Sequence, residues 1–227
     1  MCFFKDSFII YKPKDIVSGD IYWFREKTGQ LWLSAVDCTG HGVPGAMMSI
    51  VAYDLLHQAV RLNKIEAPDE ILKSINKGIQ LFSNSLNDSN KINDGMDIAM
   101  CQIDLSTLLL RYAGAKNSVY IVRDNNLTVL DADKVSIGLP DYYEFNFTAH
   151  TFQLKKGDML YLFTDGFADQ KGGPNNRKYY VEPFKNLLLA NSSLSCSEQQ
   201  KAIEQTLKDW IKEWEQVDDI LIIGVSV

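Results

Sequence analysis

The sequence has no long apolar run, no cluster of basic residues and no paired cysteines, and each absence removes a class of function. A membrane-spanning helix needs about 20 consecutive apolar residues, and none is present. The first residues also lack the basic-then-apolar pattern of a secretory signal. Lysine and arginine are scattered through a chain of net charge −6. A nucleic-acid binder normally shows a basic stripe, so nucleic acid is not an expected partner. The four cysteines, Cys2, Cys38, Cys101 and Cys196, form neither a CxxC pair nor a cysteine–histidine zinc pattern. They read as reduced thiols of a cytoplasmic protein, or of the cytosolic domain of a membrane-bound receptor. A Walker-type GxxxxGK[ST] loop is missing too, which leaves nucleotide hydrolysis without support.

What is present is an ordinary globular composition, 46% hydrophobic and 23% charged over 227 residues, enough to bury a core without staples. No repeat or linker divides the chain, so residues 1–227 read as one domain. Phe8–Tyr11, Asp20–Phe24 and Leu31–Val36 carry strand patterning, the last two joined by a turn at Lys27-Thr28-Gly29. A helix opens at Val43-Pro44, where proline suits the first turn, with Ala46, Met47, Ile50, Val51, Leu55 and Ala59 at helical spacing. A second helix starts near Pro68, with acids in its first turn and Ile71, Leu72, Ile75, Ile79 and Phe82 on its apolar stripe. Asn84–Asn93 is polar and reads as a loop. Strand patterning then covers Asp97–Asp104, Leu108–Ala113, Ser118–Arg123, Leu127–Leu130, Phe145–Leu154 and Met159–Thr164. Helices follow at Glu182–Leu189 and Ser197–Trp214, and Ile220–Val227 is a last strand. Strand-rich blocks flanked by pairs of helices predict two stacked sheets with helices outside.

Four places put an acid at the end of an apolar strand: Asp20 in Ser18-Gly19-Asp20, Asp37 before Cys38-Thr39-Gly40-His41-Gly42, Asp165 in Thr164-Asp165-Gly166, and Asp218 beside Asp219. Burying such a residue is costly unless its charge is compensated. A hard divalent cation is one compensation, since Mg²⁺ and Mn²⁺ prefer carboxylate, carbonyl and water oxygens. Each acid taken alone also fits a turn or a solvated strand edge. Together they suggest a metal site but name no reaction.

The same residues resemble the SpoIIE-type branch of the metal-dependent protein serine/threonine phosphatases, the PPM or protein phosphatase 2C-like superfamily. Val17-Ser18-Gly19-Asp20-Ile21-Tyr22-Trp23 is similar to the first motif and Asp37-Cys38-Thr39-Gly40-His41-Gly42-Val43-Pro44-Gly45-Ala46 to the second. Leu110-Arg111-Tyr112-Ala113-Gly114-Ala115 resembles the central strand and turn. Gly157 through Gly166 resembles the third motif and Asp218-Asp219-Ile220-Leu221 the last. Each is weak alone; five in order are a strong signal. The resemblance implies an α+β fold, a four-layer α-β-β-α sandwich of two mainly antiparallel sheets flanked by helices. It also implies two Mg²⁺ or Mn²⁺ ions, bridged by Asp37, with Asp20 on one side, Asp165 and Asp218 on the other, and the backbone carbonyl of Cys38 as a further ligand. Two such cations lower the pKa of a shared water, which attacks the phosphorus of a phosphoserine or phosphothreonine without a protein nucleophile. The leaving group would take its proton from a metal-bound water or from His41.

The resemblance further implies a phosphorylated regulatory protein as substrate, of the kind that works by partner switching, and a catalytic domain at the C-terminal end of a longer chain behind a sensor segment. Two departures stand out. The central turn reads Gly114-Ala115-Lys116-Asn117, without the acid that many relatives link to a third metal. No N-terminal arginine is present to grip phosphate, which leaves Lys12 and Lys14 as candidates. Asp97 begins a strand in a family-like stretch and stays outside the metal set. The alternative function is a catalytically weak phosphatase fold used for protein binding or sensing; the complete set of four acids weighs against it.

Overall fold

The structure is a computed structural model that describes residues 6–40, 42–85, 95–139 and 144–227. One sheet orders β2 (Ile21–Lys27), β3 (Gln30–Cys38), β4 (Met96–Asp104), β5 (Leu109–Ala115) and β8 (His150–Gln153). The other orders β1 (Asp6–Lys12), β12 (Ile220–Ser226), β9 (Met159–Phe163), β6 (Val119–Arg123) and β7 (Asn126–Leu130). All pairings within both sheets are antiparallel. Strand alternation divides the core into three layers. Leu31, Leu33 and Ala35 of β3 point to one face of the sheet and Trp32 and Val36 to the other. Leu221, Ile223 and Val225 of β12 likewise oppose Ile220 and Ile222. The first set from each strand meets in a core between the sheets.

The outer faces are covered by helices. Trp32 and Val36 pack with Met48, Ala52 and Leu56 of α1 (Gly42–His57) and Ile71, Leu72, Ile75 and Ile79 of α2 (Pro68–Ser85). Ile220 and Ile222 pack with Phe184 and Leu188 of α4 (Val181–Asn191) and Ile203 and Leu207 of α5 (Cys196–Ile211). The four-layer sandwich is therefore as expected.

Three local expectations change. The face of α1 that meets the sheet is Gly45, Met48, Ser49, Ala52 and Leu56, whereas Met47 and Ile50 of the expected stripe are exposed. The helix is apolar nearly all round, so the 3.6-residue period does not fix its phase. It continues as a π-helical turn at Gln58–Leu62. Of Phe145–Leu154, only His150–Gln153 pairs as a strand; Phe145 and Phe147 instead stack edge to face at 5.1 Å beside the helix-covered core. Helix α2 runs through Ser85, one residue beyond the start of the expected loop, and residues 86–94 lie outside the described residues. The short α3 (Gly166–Asp169) and the hairpin of β10 (Lys171–Gly172) and β11 (Arg177–Lys178) add elements too small to leave a period.

Candidate metal centre

Antiparallel pairing gathers the acids at one edge. Asp20 immediately precedes β2, and Asp37 is the next to last residue of β3, whose Val36 pairs with Ile21. In the other sheet Asp165 follows the end of β9 and Asp218 precedes β12, with Phe163 paired to Ile222. A strand that ends and a neighbour that begins thus deliver four acids from two sheets to the same end of the sandwich.

The main chain there is packed without room for side chains. A Cβ on Gly19 would stand 2.6 Å from the Gly40 carbonyl and 3.0 Å from the Cys38 carbonyl, and one on Gly45 would stand 2.1 Å from the Gly40 carbonyl. Glycine is required for this approach. It brings the carbonyl of Cys38 beside the residue preceding Asp20. Gly40, Gly42 and Gly45 have the spacing of a dinucleotide-binding loop, but β3 lies between antiparallel neighbours rather than in the βαβ unit such a loop needs.

Asp20 is only 2% exposed. Its Oδ2 accepts a hydrogen bond from Thr164 Oγ1 at 2.6 Å, and Thr164 Oγ1 accepts one from Leu221 N at 3.0 Å. Burial, followed by the charges of Asp219, Asp218 and Asp165, lifts Asp20 to about 8 despite the Thr164 bond. Burial and then Asp20, Asp165, Asp218 and Asp97 lift Asp37 to about 9. Asp165 is exposed as a residue, and Asp37 is a side-chain hydrogen-bond partner of its carboxyl. Burial of that group and the charges of Asp169 and Asp218 lift it to about 6. Among the described residues the edge therefore holds more carboxylate than its surroundings neutralise, which favours a proton or a cation there.

Asp218 and Asp219 divide their roles. Asp219, 3% exposed, accepts from the backbone amides of Lys14 at 2.7 Å and Gly19 at 2.8 Å, so its carboxylate clamps the loop that carries Asp20. Asp218 is half-buried and contributes to the raised pKa of Asp37. This division favours Asp218 as the ligand. Lys12 directs its ammonium to Glu204 of α5 at 3.2 Å, so the structure does not bring it to the acids, and Lys14 contributes its main chain to Asp219. His41 lies outside the described residues. Thr164 and Asp219 are the residues that sequence reasoning left without a role. Thr164 had one signal, a hydroxyl at a strand end next to a motif acid.

Among the described residues no three His, Cys, Asp or Glu side chains close on one point as a ready-made cage. The donors present still fit a hard cation. They are all oxygens, they are short of compensating charge, and Mg²⁺ commonly keeps several waters while binding one or two carboxylates.

Residues 27–227 match the family model of stage II sporulation protein E, SpoIIE. The chain belongs to this family. The SiaA-PP2C domain of Pseudomonas aeruginosa, at 30% identity, superposes with a TM-score of 0.88 over 97% of this chain and 85% of its own. The phosphoserine phosphatase RsbU of Bacillus subtilis (strain 168) is 26% identical over 164 residues, 69% of this chain and 44% of its own, so this SpoIIE-family chain spans less than half of that relative. RsbX in complex with magnesium shares the fold, with a TM-score of 0.66 and 16% identity over 97% of this chain and 94% of its own.

Proposed function

We propose that this SpoIIE-family domain hydrolyses the phosphate ester of phosphoserine or phosphothreonine in a regulatory protein, with Asp20, Asp37, Asp165, Asp218 and the Cys38 carbonyl holding two Mg²⁺ or Mn²⁺ ions. The observation that carries this reading is the uncompensated acid edge, in which Asp37 and Asp165 share a hydrogen bond and Asp20 and Asp37 are pushed to about 8 and 9. When bound, divalent cations supply an activated water and neutralise charge on the phosphoryl oxygens.

The chain's own residues prepare that chemistry. Thr164 fixes one oxygen of Asp20, and Asp219 holds the Lys14–Gly19 loop so that Asp20 keeps its place. The pairing of β2 with β3 fixes Asp37 against Asp20. Among the described residues Cys38 is the one thiol at the edge, and burial followed by the charge of Asp37 drives its pKa far above the ordinary value. A buried neutral thiol is a poor nucleophile, which supports water in that role. RsbU, a phosphoserine phosphatase of greater length, supports the same substrate class and the reading of residues 1–227 as the catalytic unit of a longer regulatory protein that acts by partner switching. Among the described residues no helix is long and apolar enough to cross a membrane.

The test is hydrolysis of p-nitrophenyl phosphate and of a phosphoserine peptide. Turnover should require Mn²⁺ or Mg²⁺, stop with EDTA and be lost in Asp37→Asn. Turnover that survives both EDTA and Asp37→Asn would refute the reading.

A further inference from the structure

A cavity of about 310 Å³ opens directly beside the acid edge, and Asp165, Lys116 and Asn117 stand in its wall. Phe163, Phe184 and Lys185 line it further in. Three features make it more than a surface dent.

The first is a cation held at the boundary between the cavity and the acids. Lys116 Nζ lies 3.7 Å from Asp97 Oδ2, and Asp97 faces Asp37 across the β3–β4 ladder. At that distance the ion pair is loose, and an ammonium carries three donors, so it can bind another acceptor from the cavity side. Its backbone is fixed: Lys116 has φ 56°, its amide donates to Asp133 O at 2.8 Å, and Tyr112 Oη donates to Asn117 O at 2.7 Å.

The second is a donor without an acceptor. Asn117 Nδ2 is buried and has no hydrogen-bond partner among the described residues. Buried amides are normally paired, so an orphan in a cavity wall calls for an explanation.

The third is a rigid apolar floor. The rings of Tyr120 and Phe163 stand 4.6 Å apart and those of Phe163 and Phe184 5.2 Å apart, close enough to fix one another. Lys185 lies over the Tyr120 ring at 5.8 Å at the far side, where its ammonium meets Glu182 at 2.8 Å.

A phosphate ester near neutral pH carries a charge of about −1.5 to −2. The Lys116 ammonium, carried on a fixed backbone beside the acid edge, is a positive group on the approach side for that charge. We propose that this cavity is the substrate-peptide subsite: Lys116 binds the phosphoryl oxygens of the phosphoserine, and the aromatic floor takes an apolar side chain next to it in sequence. This rests on the phosphatase reading and adds to it a phosphate grip and a sequence preference.

The experiment titrates the protein, with Mg²⁺ present, with two phosphoserine peptides, one with leucine and one with glycine beside the phosphoserine, and measures KM and kcat for both. The leucine peptide should bind about tenfold more tightly. Lys116→Gln, which keeps a hydrogen-bond donor for Asp97, should weaken peptide binding and raise KM about tenfold with a smaller change in kcat. Lys116→Arg should restore most of the loss. Val181→Trp, at the exposed start of α4 in the cavity lining, should lower turnover of the leucine peptide relative to p-nitrophenyl phosphate. Wild-type hydrolysis with KM unchanged in Lys116→Gln would overturn the subsite and leave the phosphatase reading standing. Wild-type peptide binding that Lys116→Gln weakens, without hydrolysis, would support the subsite and overturn the phosphatase reading. A wild-type protein that neither binds nor hydrolyses would overturn both.

Discussion

At the start of β9, Asp158 is 1% exposed, and Arg123 meets it with two hydrogen bonds, 2.7 Å from Nε and 2.6 Å from Nη2. The Lys155 amide adds a third at 2.8 Å. Beyond the other end of the same strand, Asp20 is equally buried, and its carboxylate is met by the Thr164 hydroxyl and by the charges of other carboxylates. One sandwich thus holds two buried acid sites about one strand apart. One is neutralised by the chain itself, in the way buried charges usually are, and at the other no cation meets the Asp20 carboxylate among the described residues. The difference teaches that the acid edge is not a tolerated defect: the fold can place an arginine on a buried aspartate, and among the described residues it places none here.

The largest effect expected of this contrast is at Asp37. Asp37→Asn should reduce metal-dependent turnover by about 1,000-fold, roughly 4 kcal/mol of barrier, because it removes the acid expected to bridge the cations. The same change should stabilise the metal-free protein, since an amide removes the cost that the raised pKa of the buried Asp37 carboxyl imposes above pH 4. Urea unfolding in EDTA reads the second effect. A lower midpoint for Asp37→Asn than for wild type would break the comparison, because it would mean that Asp37 is already compensated.

Metal and pH come next. Asp20, Asp37 and Asp165 are lifted to about 8, 9 and 6 in the fold, from an ordinary value of 3.8. Between pH 4 and 9 the folded, metal-free chain therefore holds more protons than the unfolded chain, and its stability must fall as pH rises through that window. Cations compete with those protons, so Mn²⁺ should stabilise more at pH 8 than at pH 5. At a free concentration 100 times Kd, one bound ion adds about 2.7 kcal/mol. For a chain of this size that raises the melting midpoint by about 5–10 °C. Melting curves at several pH values, with EDTA or Mn²⁺, check both slopes; stability in EDTA that rose from pH 5 to 8 would contradict the uncompensated edge.

The compensated end should respond in the opposite sense. Arg123→Met leaves Asp158 buried without its ion pair and should cost about 2 kcal/mol, less than a fully buried pair because the Arg123 side chain is 28% exposed. Adding Asp158→Leu should recover part of that loss. The increment from Mn²⁺ should not change in either variant. Together with Asp37→Asn, these variants ask whether the same substitution logic, removal of one charge, has opposite signs at the two ends of β9.

The sequence carried the acid edge more clearly than it carried the compensation. Asp20, Asp37, Asp165 and Asp218 each sit at the end of an apolar strand, and antiparallel pairing brings such ends together. That two sheets stack was legible in the strand-rich blocks flanked by pairs of helices, whereas the strand order was not, since β3, β4 and β12 are buried almost without interruption. What could not be read depended on contacts distant in sequence. Arg123 and Asp158 are 35 residues apart, and Asp219 reaches amides about 200 residues away. The role of Asp219 as a clamp, rather than as a twin of Asp218, follows only from that closure. The phase of α1 was illegible for a different reason: with Val43, Met47, Ile50 and Tyr53 apolar yet exposed, composition alone does not tell the inner face from the outer.

The smallest effect tests whether the two ends of β9 are independent of the outer layer. Helix α5 begins with a capping box in which Ser195 Oγ accepts from the Glu198 amide at 3.3 Å and Glu198 Oε2 accepts from the Ser195 amide at 3.0 Å. Asp6 of β1 ties the same helix start to the sheet by accepting from the Cys196 amide at 2.8 Å. Ser195→Ala should cost about 1 kcal/mol, the usual loss for a helix cap. If the acid edge is a local device, the midpoint should fall by the same amount in EDTA and in Mn²⁺, and the increment from metal should be that of the wild type. An increment that shrank with the cap would show that α5 and β1 carry strain to the loop of Asp20, and the contrast between the two ends of β9 would then belong to the whole sheet rather than to the residues at its edges.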